Sequence, residues 1–304
     1  AGKTGVAAAR VLHDLGARVT VCDIKREYLL SDTLQQLKDI PVQVVTGGYP
    51  EVSQQNTDII VMSPGVPLSI PPVMAAGELG IPVWSEIELA SSMFDAPIVA
   101  VTGTNGKTTT TSLLGQMFRD AGVETVVAGN IGVPLIGEVE KITSQHVVVL
   151  EVSSFQLEAI HSFRPKVGIV INLTPDHLDR HRTMEEYKAA KQSLFRNQRQ
   201  GDFSVLNYDD EYVKSMASAT QGEVIFFSLR HTLDTGAYLV GDDIYFSYRG
   251  EKTLICGRDE LYIKGNHNLE NALSAICAGI LMGLSPQSIR FTLKTFKGVK
   301  HRLQ

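Results

Sequence analysis

The chain has 304 residues, of which 43% are apolar and 20% charged. That is the balance of a globular chain and not of a disordered one, and the length suggests about two domains. A net charge of −5 argues against a broad nucleic-acid-binding face but leaves room for small anion pockets. The longest uncharged apolar stretch, residues 272–284, falls short of the roughly 20 residues that cross a bilayer. Three scattered cysteines, Cys22, Cys256 and Cys277, make neither a disulfide framework nor a zinc site. No charged-then-apolar leader opens the chain, so a cytoplasmic protein with reduced cysteines and no membrane insertion is expected.

In chain order, Gly2-Lys3-Thr4-Gly5 leads into a helix over residues 6–15, closed by Gly16. A strand over 17–23 follows and ends in Asp23. Turn, helix and strand with an acid at its tip match the last two glycines and the acid of a G-x-G-x-x-G dinucleotide fingerprint. The first glycine and first strand would precede Ala1, which gives the expectation that the chain is trimmed there. Helix is then expected over 33–38, strand over 42–46 and 58–62, and a rigid turn at Ser63-Pro64-Gly65-Val66-Pro67. Helix over 72–79, a short strand over 82–84 and helix over 86–93 complete an alternating pattern, the signature of a parallel sheet covered by helices. Residues 1–93 form the first expected domain, Rossmann-like in character.

The second expected domain, residues 94–300, opens with a strand over 97–101, a loop, and a helix over 108–121. Strands are expected over 126–128, 147–152 and 167–172, and a helix over 184–197. Short strands over 224–227, 238–240, 244–248, 253–256 and 261–263 suggest a small antiparallel sheet inserted late. Helices over 268–282 and 286–295 follow.

The strongest local signal is Thr102-Gly103-Thr104-Asn105-Gly106-Lys107-Thr108-Thr109, set between an apolar strand and a helix. Glycines let backbone N–H groups turn towards phosphate oxygens, and the helix N-terminus adds partial positive charge. Lys107 can reach the β- and γ-phosphates, and Thr108 can give a hydroxyl to Mg²⁺. The earlier glycine of the full Walker pattern is replaced by Val101. The motif alone leaves GTPase, kinase, ATPase and ligase open, although no N-K-x-D tetrapeptide supports a guanine-specific GTPase.

Downstream, Glu151 ends the run Val147-Val148-Val149-Leu150 and is placed to hold Mg²⁺. Asp176-His177-Leu178-Asp179-Arg180-His181 resembles a metal site, or else a polar loop capping the next element. Mg²⁺ seldom takes histidine. Lys191 reads by itself as a helix-surface lysine. Asn268 and Asn271 are three apart on one helix face. Their amides suit an adenine edge, or equally a polar first turn.

Taken together, several runs resemble the Mur ligase family of ATP-dependent amide-forming enzymes. They are Gly103–Thr108, Gly129-Asn130-Ile131-Gly132, Glu151-Val152-Ser153-Ser154-Phe155-Gln156-Leu157-Glu158, Asp176–Asp179, Ala189-Ala190-Lys191, His267–Asn271 and Gly298-Val299-Lys300-His301-Arg302. The resemblance covers essentially the whole chain, and the Ser-Ser-Phe-Gln-Leu run is that of the D-glutamate-adding members.

The resemblance implies an α/β fold: a Rossmann-like N-terminal domain plus a central P-loop ATPase-like domain. The implied reaction is addition of D-glutamate to UDP-N-acetylmuramoyl-L-alanine through an acyl phosphate, in peptidoglycan precursor synthesis. Gly103, Thr104, Asn105, Gly106, Lys107, Thr108, Thr109, Asn268, Asn271 and Arg302 would bind ATP. Thr108, Glu151, His177 and Lys191 would hold Mg²⁺, in two sites, with Lys191 as a carbamate. Lys107, Glu151, His177 and Lys191 would serve catalysis. Lys3, Thr4, Ile24, Lys25, Ser63 and Gly65 would hold the UDP portion, and Asn130 and Ser153 would approach the muramoyl group. The family has a third domain, so residues 301–304 are expected to begin it, and the chain alone is expected to turn over weakly or not at all. A monomer is expected.

Two other classes compete. A nicotinamide-dependent oxidoreductase explains Gly2, Gly5 and Asp23 but not the phosphate loop. A non-catalytic nucleotide switch explains the loop but not Glu151, His177 and Lys191. Folylpolyglutamate-type ligases share the loop but lack the Ser153–Leu157 run.

Overall fold

The computed structural model describes residues 2–130, 132–176 and 178–299. His177 and Arg302, both expected site residues, therefore lie outside the described residues. The chain divides into two compact units. Unit 1 comprises Ala1–Asp95 with two later segments, Gly129–Lys141 and Phe155–Phe163. Unit 2 comprises Ala96–Ala128, Ile142–Ser154 and Arg164–Gln304.

Unit 1 begins with α1 (Lys3–Asp14), started at Gly2. Val6 and Ala9 of α1 pack with Val21 and Leu37 into a small core, one apolar stripe of the helix turned inward. Strand β1 (Thr20–Asp23), helix α2 (Ser31–Leu37) and strand β2 (Gln43–Thr46) follow, with β1 and β2 parallel. Then come β3 (Ile60–Met62), α3 (Pro71–Leu79), β4 (Val83–Ser85) and α4 (Glu86–Ser91), with β3 and β4 parallel. Prolines open α3, where their missing N–H costs nothing. The expected alternation is present, but among the described residues the strands form two separate two-stranded sheets.

Helix α4 breaks a composition rule. Both of its glutamates are buried, Glu86 at 1% and Glu88 at 0% exposure, although buried glutamates are rare unless partnered. Glu88 accepts from the backbone N–H of His161 (2.9 Å), Ser162 (2.7 Å) and Phe163 (2.8 Å), and from Ser162 Oγ (2.5 Å). Burial works to raise its pKa, but these donors outweigh it and hold the carboxyl below its usual range. Glu86 accepts from the N–H of Ile136 at 2.6 Å. Here burial wins and pushes the carboxyl up to about 7.

Glu86 thus carries its proton longer in the folded chain than in the unfolded one. Its contribution to stability is full below the unfolded value near 4.5 and is lost as pH rises towards 7. The loss is on the order of 3 kcal/mol at 1.36 kcal/mol per pH unit. Glu86→Gln is expected to remove this slope and to be more stable than the parent at pH 8. Urea unfolding between pH 4.5 and 8 checks it, and an unchanged slope would refute the assignment.

Unit 2 is built on a single nine-stranded sheet. Its elements in chain order begin with β5 (Ile98–Thr102), α5 (Lys107–Asp120), β6 (Thr125–Gly129), β7 (Val147–Glu151), the short helix α6 (Ser154–Leu157) and β8 (Val167–Val170). They continue with α7 (Leu178–His181), α8 (Met184–Gln192), β9 (Phe203–Asn207), α9 (Glu211–Lys214), β10 (Glu223–Ser228), β11 (Gly236–Val240), β12 (Asp243–Tyr248) and β13 (Glu251–Gly257). Helices α10 (Asn266–Leu281) and α11 (Pro286–Thr295) end the series. The strand order is β13-β12-β11-β10-β9-β8-β5-β7-β6.

Strands β5, β7 and β8 are buried along their whole length, which is why their sequences are continuous apolar runs instead of alternating ones. The antiparallel strands expected late are present, as β11, β12 and β13. They extend the edge of the same sheet instead of forming a separate one, because β10 pairs in parallel with both β9 and β11.

Residues 261–263 are not a strand. Their buried–exposed–buried alternation follows a single 3-10 turn, Arg258–Glu260, and mimics a strand period. No helix among the described residues is long and apolar enough to cross a membrane.

Candidate functional site

In unit 2 the chain places β6 and β7 on one side of β5, then β8, β9 and β10 on the other. A crevice beyond the carboxyl ends of strands at such a switch point is where open α/β sheets bind ligands. The 102–109 loop occupies that position, between β5 and α5.

The loop needs its glycines. Gly103 and Gly106 have φ of 149° and 83°, both in the left-handed region that side chains disfavour. A β-carbon at Gly106 would stand 2.1 Å from Asn271 Oδ1, so α10 presses directly on the loop. Asn172, just after β8, clasps the tip: its Oδ1 accepts from Asn105 N–H at 2.8 Å and its Nδ2 donates to Asn105 carbonyl at 3.2 Å. Thr104 Oγ1 donates to Thr174 carbonyl and accepts from Thr174 N–H, at 3.1 and 3.0 Å. The loop is thus rigid before any ligand arrives, which lowers the entropy cost of binding one.

Lys107 Nζ donates to the carbonyls of Gly103 (2.9 Å) and Thr104 (2.8 Å), which keeps the ammonium inside the loop. Thr108, in the first turn of α5, donates from Oγ1 to Glu151 Oε2 at 2.9 Å. Glu151 ends β7 opposite Val101 and is 3% exposed. A hydroxyl and a carboxylate side by side beneath a phosphate loop are hard oxygen donors of the kind Mg²⁺ takes.

Lys191 reads from sequence as a surface lysine, and the structure corrects this: it is 1% exposed. Its Nζ donates to Gly103 carbonyl at 2.9 Å and to Thr102 Oγ1 at 3.3 Å, and it lies 4.6 Å from the centre of the Tyr187 ring. Burial first, and the charge of Lys107 second, push its pKa down to about 7. Two lysines therefore converge on one loop, one of them close to neutrality.

The Asp176–His181 run divides. His181 is buried, with Nε2 2.9 Å from Ser154 Oγ, and its ring tilts against Tyr187. Asp176 is exposed. Among the described residues no three acids, histidines or cysteines form a metal cluster. Asn268 and Asn271 share the first turns of α10: Asn271 Nδ2 donates to Asn268 Oδ1 at 3.4 Å, and Asn268 Nδ2 to Lys264 carbonyl at 2.8 Å. Asn271 is 4% exposed. Thr109 is half-buried in α5.

In unit 1 the expected substrate residues follow the carboxyl ends of its strands or open its first helix. Lys3 and Thr4 are the first two residues of α1, where backbone N–H groups lack helical partners. Ile24 and Lys25 come directly after β1, and the turn is closed by Lys25 N–H donating to Asp23 Oδ1 at 2.9 Å. Ser63 and Gly65 follow β3, where Val66 N–H donates to Ser63 carbonyl. Asn130, exposed, follows β6 at the head of the Gly129–Lys141 segment. Ser153, half-buried, belongs to unit 2, two residues past Glu151.

Sequence reasoning passed over Asn172, Tyr187, Glu86 and Glu88. Asn172 carried a usable signal, a polar side chain directly after a buried strand. The two glutamates carried none, because their partners lie far along the chain.

Comparison with known proteins identifies the family and the fold. Residues 101–279 match the Mur ligase middle domain, and residues 1–85 match the MurD-like N-terminal domain of Mur ligases. The UDP-N-acetylmuramoylalanine–D-glutamate ligase of Pelotomaculum thermopropionicum is 50% identical over 304 residues, 100% of this chain and 67% of that protein. The enzyme of the same name from Alkaliphilus oremlandii is 45% identical over 303 residues, 99% of this chain and 67% of its own length. Among solved structures, the UDP-N-acetylmuramate:L-alanyl-γ-D-glutamyl-meso-diaminopimelate ligase of Neisseria meningitides superposes with a TM-score of 0.64 at 22% identity, covering 98% of this chain and 95% of that one. At that identity the likeness speaks for the fold. With the phosphate loop, its Thr108–Glu151 pair and both domain matches in register along the sequence, the chain belongs to the Mur ligase family.

Proposed function

We propose that this chain carries the nucleotide-sugar and ATP sites of a ligase that adds D-glutamate to UDP-N-acetylmuramoyl-L-alanine. The observation that carries the reading is identity of 50% along the whole chain to a D-glutamate ligase, over a phosphate loop whose lysine and Thr108–Glu151 pair are in place.

Residues 1–93 would bind the UDP substrate through Lys3, Thr4, Ile24, Lys25, Ser63 and Gly65, with Asn130 and Ser153 at the muramoyl end. Residues 94–300 would bind ATP, its phosphates on 103–109 and its adenine by Asn268 and Asn271, with Arg302 as a further contact. The carboxylate of the substrate attacks the γ-phosphorus, ADP leaves, and an acyl phosphate results. The D-glutamate amine then attacks the acyl carbon, phosphate departs, and the amine nitrogen gives up a proton. Lys107, fixed inside the loop, offsets charge on the transferring group in a site whose dipoles are already oriented.

Thr108 and Glu151 would hold Mg²⁺, whose charge would serve the same end. His177 and Lys191 extend the proposed donor set. An ammonium cannot ligate a cation, but Lys191 is close enough to neutrality to present a free amine. Its lone pair adds to CO₂, forming an N–C bond and releasing one proton, and the carbamate supplies oxygen donors.

The test is D-glutamate-dependent ADP release, with this chain carried at its relatives' full length, in the presence of UDP-N-acetylmuramoyl-L-alanine. Turnover is expected within about 1–10³ s⁻¹. Thermal stabilisation of the chain by NADH, with none by the UDP-sugar, would overturn the reading in favour of an oxidoreductase.

A further inference from the structure

Unit 1 contains two segments that the chain supplies late, Gly129–Lys141 and Phe155–Phe163. Each is fastened by a different acid of the same six-residue helix, α4. Glu86 takes the first: its carboxylate accepts from Ile136 N–H at 2.6 Å, with Leu135 N–H beside it as a further donor. Those amides open the 3-10 helix Leu135–Lys141, which packs against α1 and α4. A carboxylate at the start of such a helix satisfies N–H groups that have no partner within it. Glu88 takes the second. Its Oε2 accepts from His161 and Phe163, and its Oε1 from the amide and hydroxyl of Ser162. Three successive backbone N–H groups close around it as a nest closes around an anion.

The two tethers do different chemistry. Both oxygens of Glu88 are used, so Glu88 must be a carboxylate: an amide would set an NH₂ against two N–H donors. The hydrogen bond from Ile136 N–H falls on one oxygen of Glu86, and the side-chain oxygen of a glutamine can accept it in the same place. A glutamine can therefore replace Glu86 but not Glu88.

The first tethered segment begins at Gly129-Asn130, five residues before Leu135. The second begins directly after Ser153-Ser154. We propose that Glu86 and Glu88 are positioning residues for the muramoyl end of the UDP-substrate site, fixing the segments that carry or follow Asn130 and Ser153. The identity of that substrate rests on the function proposed above; the tethers themselves do not.

The experiment compares Glu88→Gln, Glu86→Ala and Glu86→Gln at the relatives' full length, each assayed well below its melting midpoint. KM for UDP-N-acetylmuramoyl-L-alanine is expected to rise about tenfold or more in Glu88→Gln and Glu86→Ala, with KM for ATP held within about twofold. Glu86→Gln is expected within about twofold of the parent for both. Equal rises in both KM values, or no rise in either, would overturn the proposal, as would damage from Glu86→Gln equal to that from Glu86→Ala. Should Glu88→Gln not fold, Ser162→Ala removes one of the four donors. A rise of about threefold in KM for the UDP-sugar alone is then expected, and an unchanged KM refutes the inference. A parent protein with no D-glutamate-dependent turnover would instead refute the function. The tethers would then be read by hydrogen exchange at Ile136, His161 and Phe163 with and without UDP-N-acetylmuramoyl-L-alanine, and equal protection in both would refute the inference as well.

Discussion

Lys107→Ala is expected to lower kcat/KM for ATP about 10³-fold or more, the loss of roughly 4 kcal/mol of transition-state stabilisation. The magnitude follows from where the ammonium is held. Two loop carbonyls fix it at 2.9 and 2.8 Å, so its charge is delivered to the phosphate position with no reorganisation. Lys107 is only half-buried, and its removal opens no core cavity. The melting midpoint should therefore stay close to that of the parent. Lys107→Arg is not expected to restore the rate, since a planar fork is wider than the point charge the two carbonyls accommodate. Steady-state ADP release against ATP concentration measures it. A change below about tenfold would remove Lys107 from phosphate handling.

Lys191→Ala is expected to cost about 10²–10³ in kcat, with substrate KM values less affected, if its carbamate completes the cation site. Three further readouts separate this from simple loss of packing. The native mass of the parent should exceed that of the denatured chain by one CO₂. Activity of the parent should fall when bicarbonate is stripped, and fall less at higher pH. The neutral amine that adds CO₂ becomes more abundant as pH rises through the value near 7. Finally, a small carboxylic acid in the buffer should return part of the activity of Lys191→Ala, by filling the vacated space with oxygen donors. A parent whose native mass carries no CO₂ and whose rate ignores bicarbonate would refute the carbamate.

The architecture was legible wherever local pattern and tertiary environment agreed. The runs 98–101, 147–150 and 167–170 are apolar because both faces of those strands are covered, and glycine–lysine–threonine after the first of them fixed the phosphate loop. Strand β9 was not legible. Phe203-Ser204-Val205-Leu206-Asn207 is short and follows a polar stretch, and only its place between β8 and β10 buries it. Residues 261–263 failed in the opposite direction, because an irregular segment packed on a core reproduces a two-residue burial period.

Lys191 shows the limit for single side chains. Tyr187-Lys188-Ala189-Ala190-Lys191 reads as an ordinary helix with lysines on its outside, yet α8 turns Tyr187 and Lys191 inward together. Which face of a helix with so few apolar residues is buried depends on what it meets. That information lies in β5 and its loop, 89 residues away. The α4 glutamates are a stronger case of the same limit. Glu86 meets Ile136 and Glu88 meets Phe163, at separations of 50 and 75 residues.

Those separations also set an order of events during synthesis. When Asp95 has left the ribosome, α4 exists but its two carboxylates face water, because their partners have not been made. Unit 1 closes only when Phe163 emerges, after most of the first parallel strands of unit 2. At translation rates of about 5–20 residues per second, the roughly 70 residues in between take on the order of 3–14 s. In the finished protein the same helix also buries Ile87 and Leu89. Until then the two carboxylates of α4, charged and solvated, keep that helix hydrated.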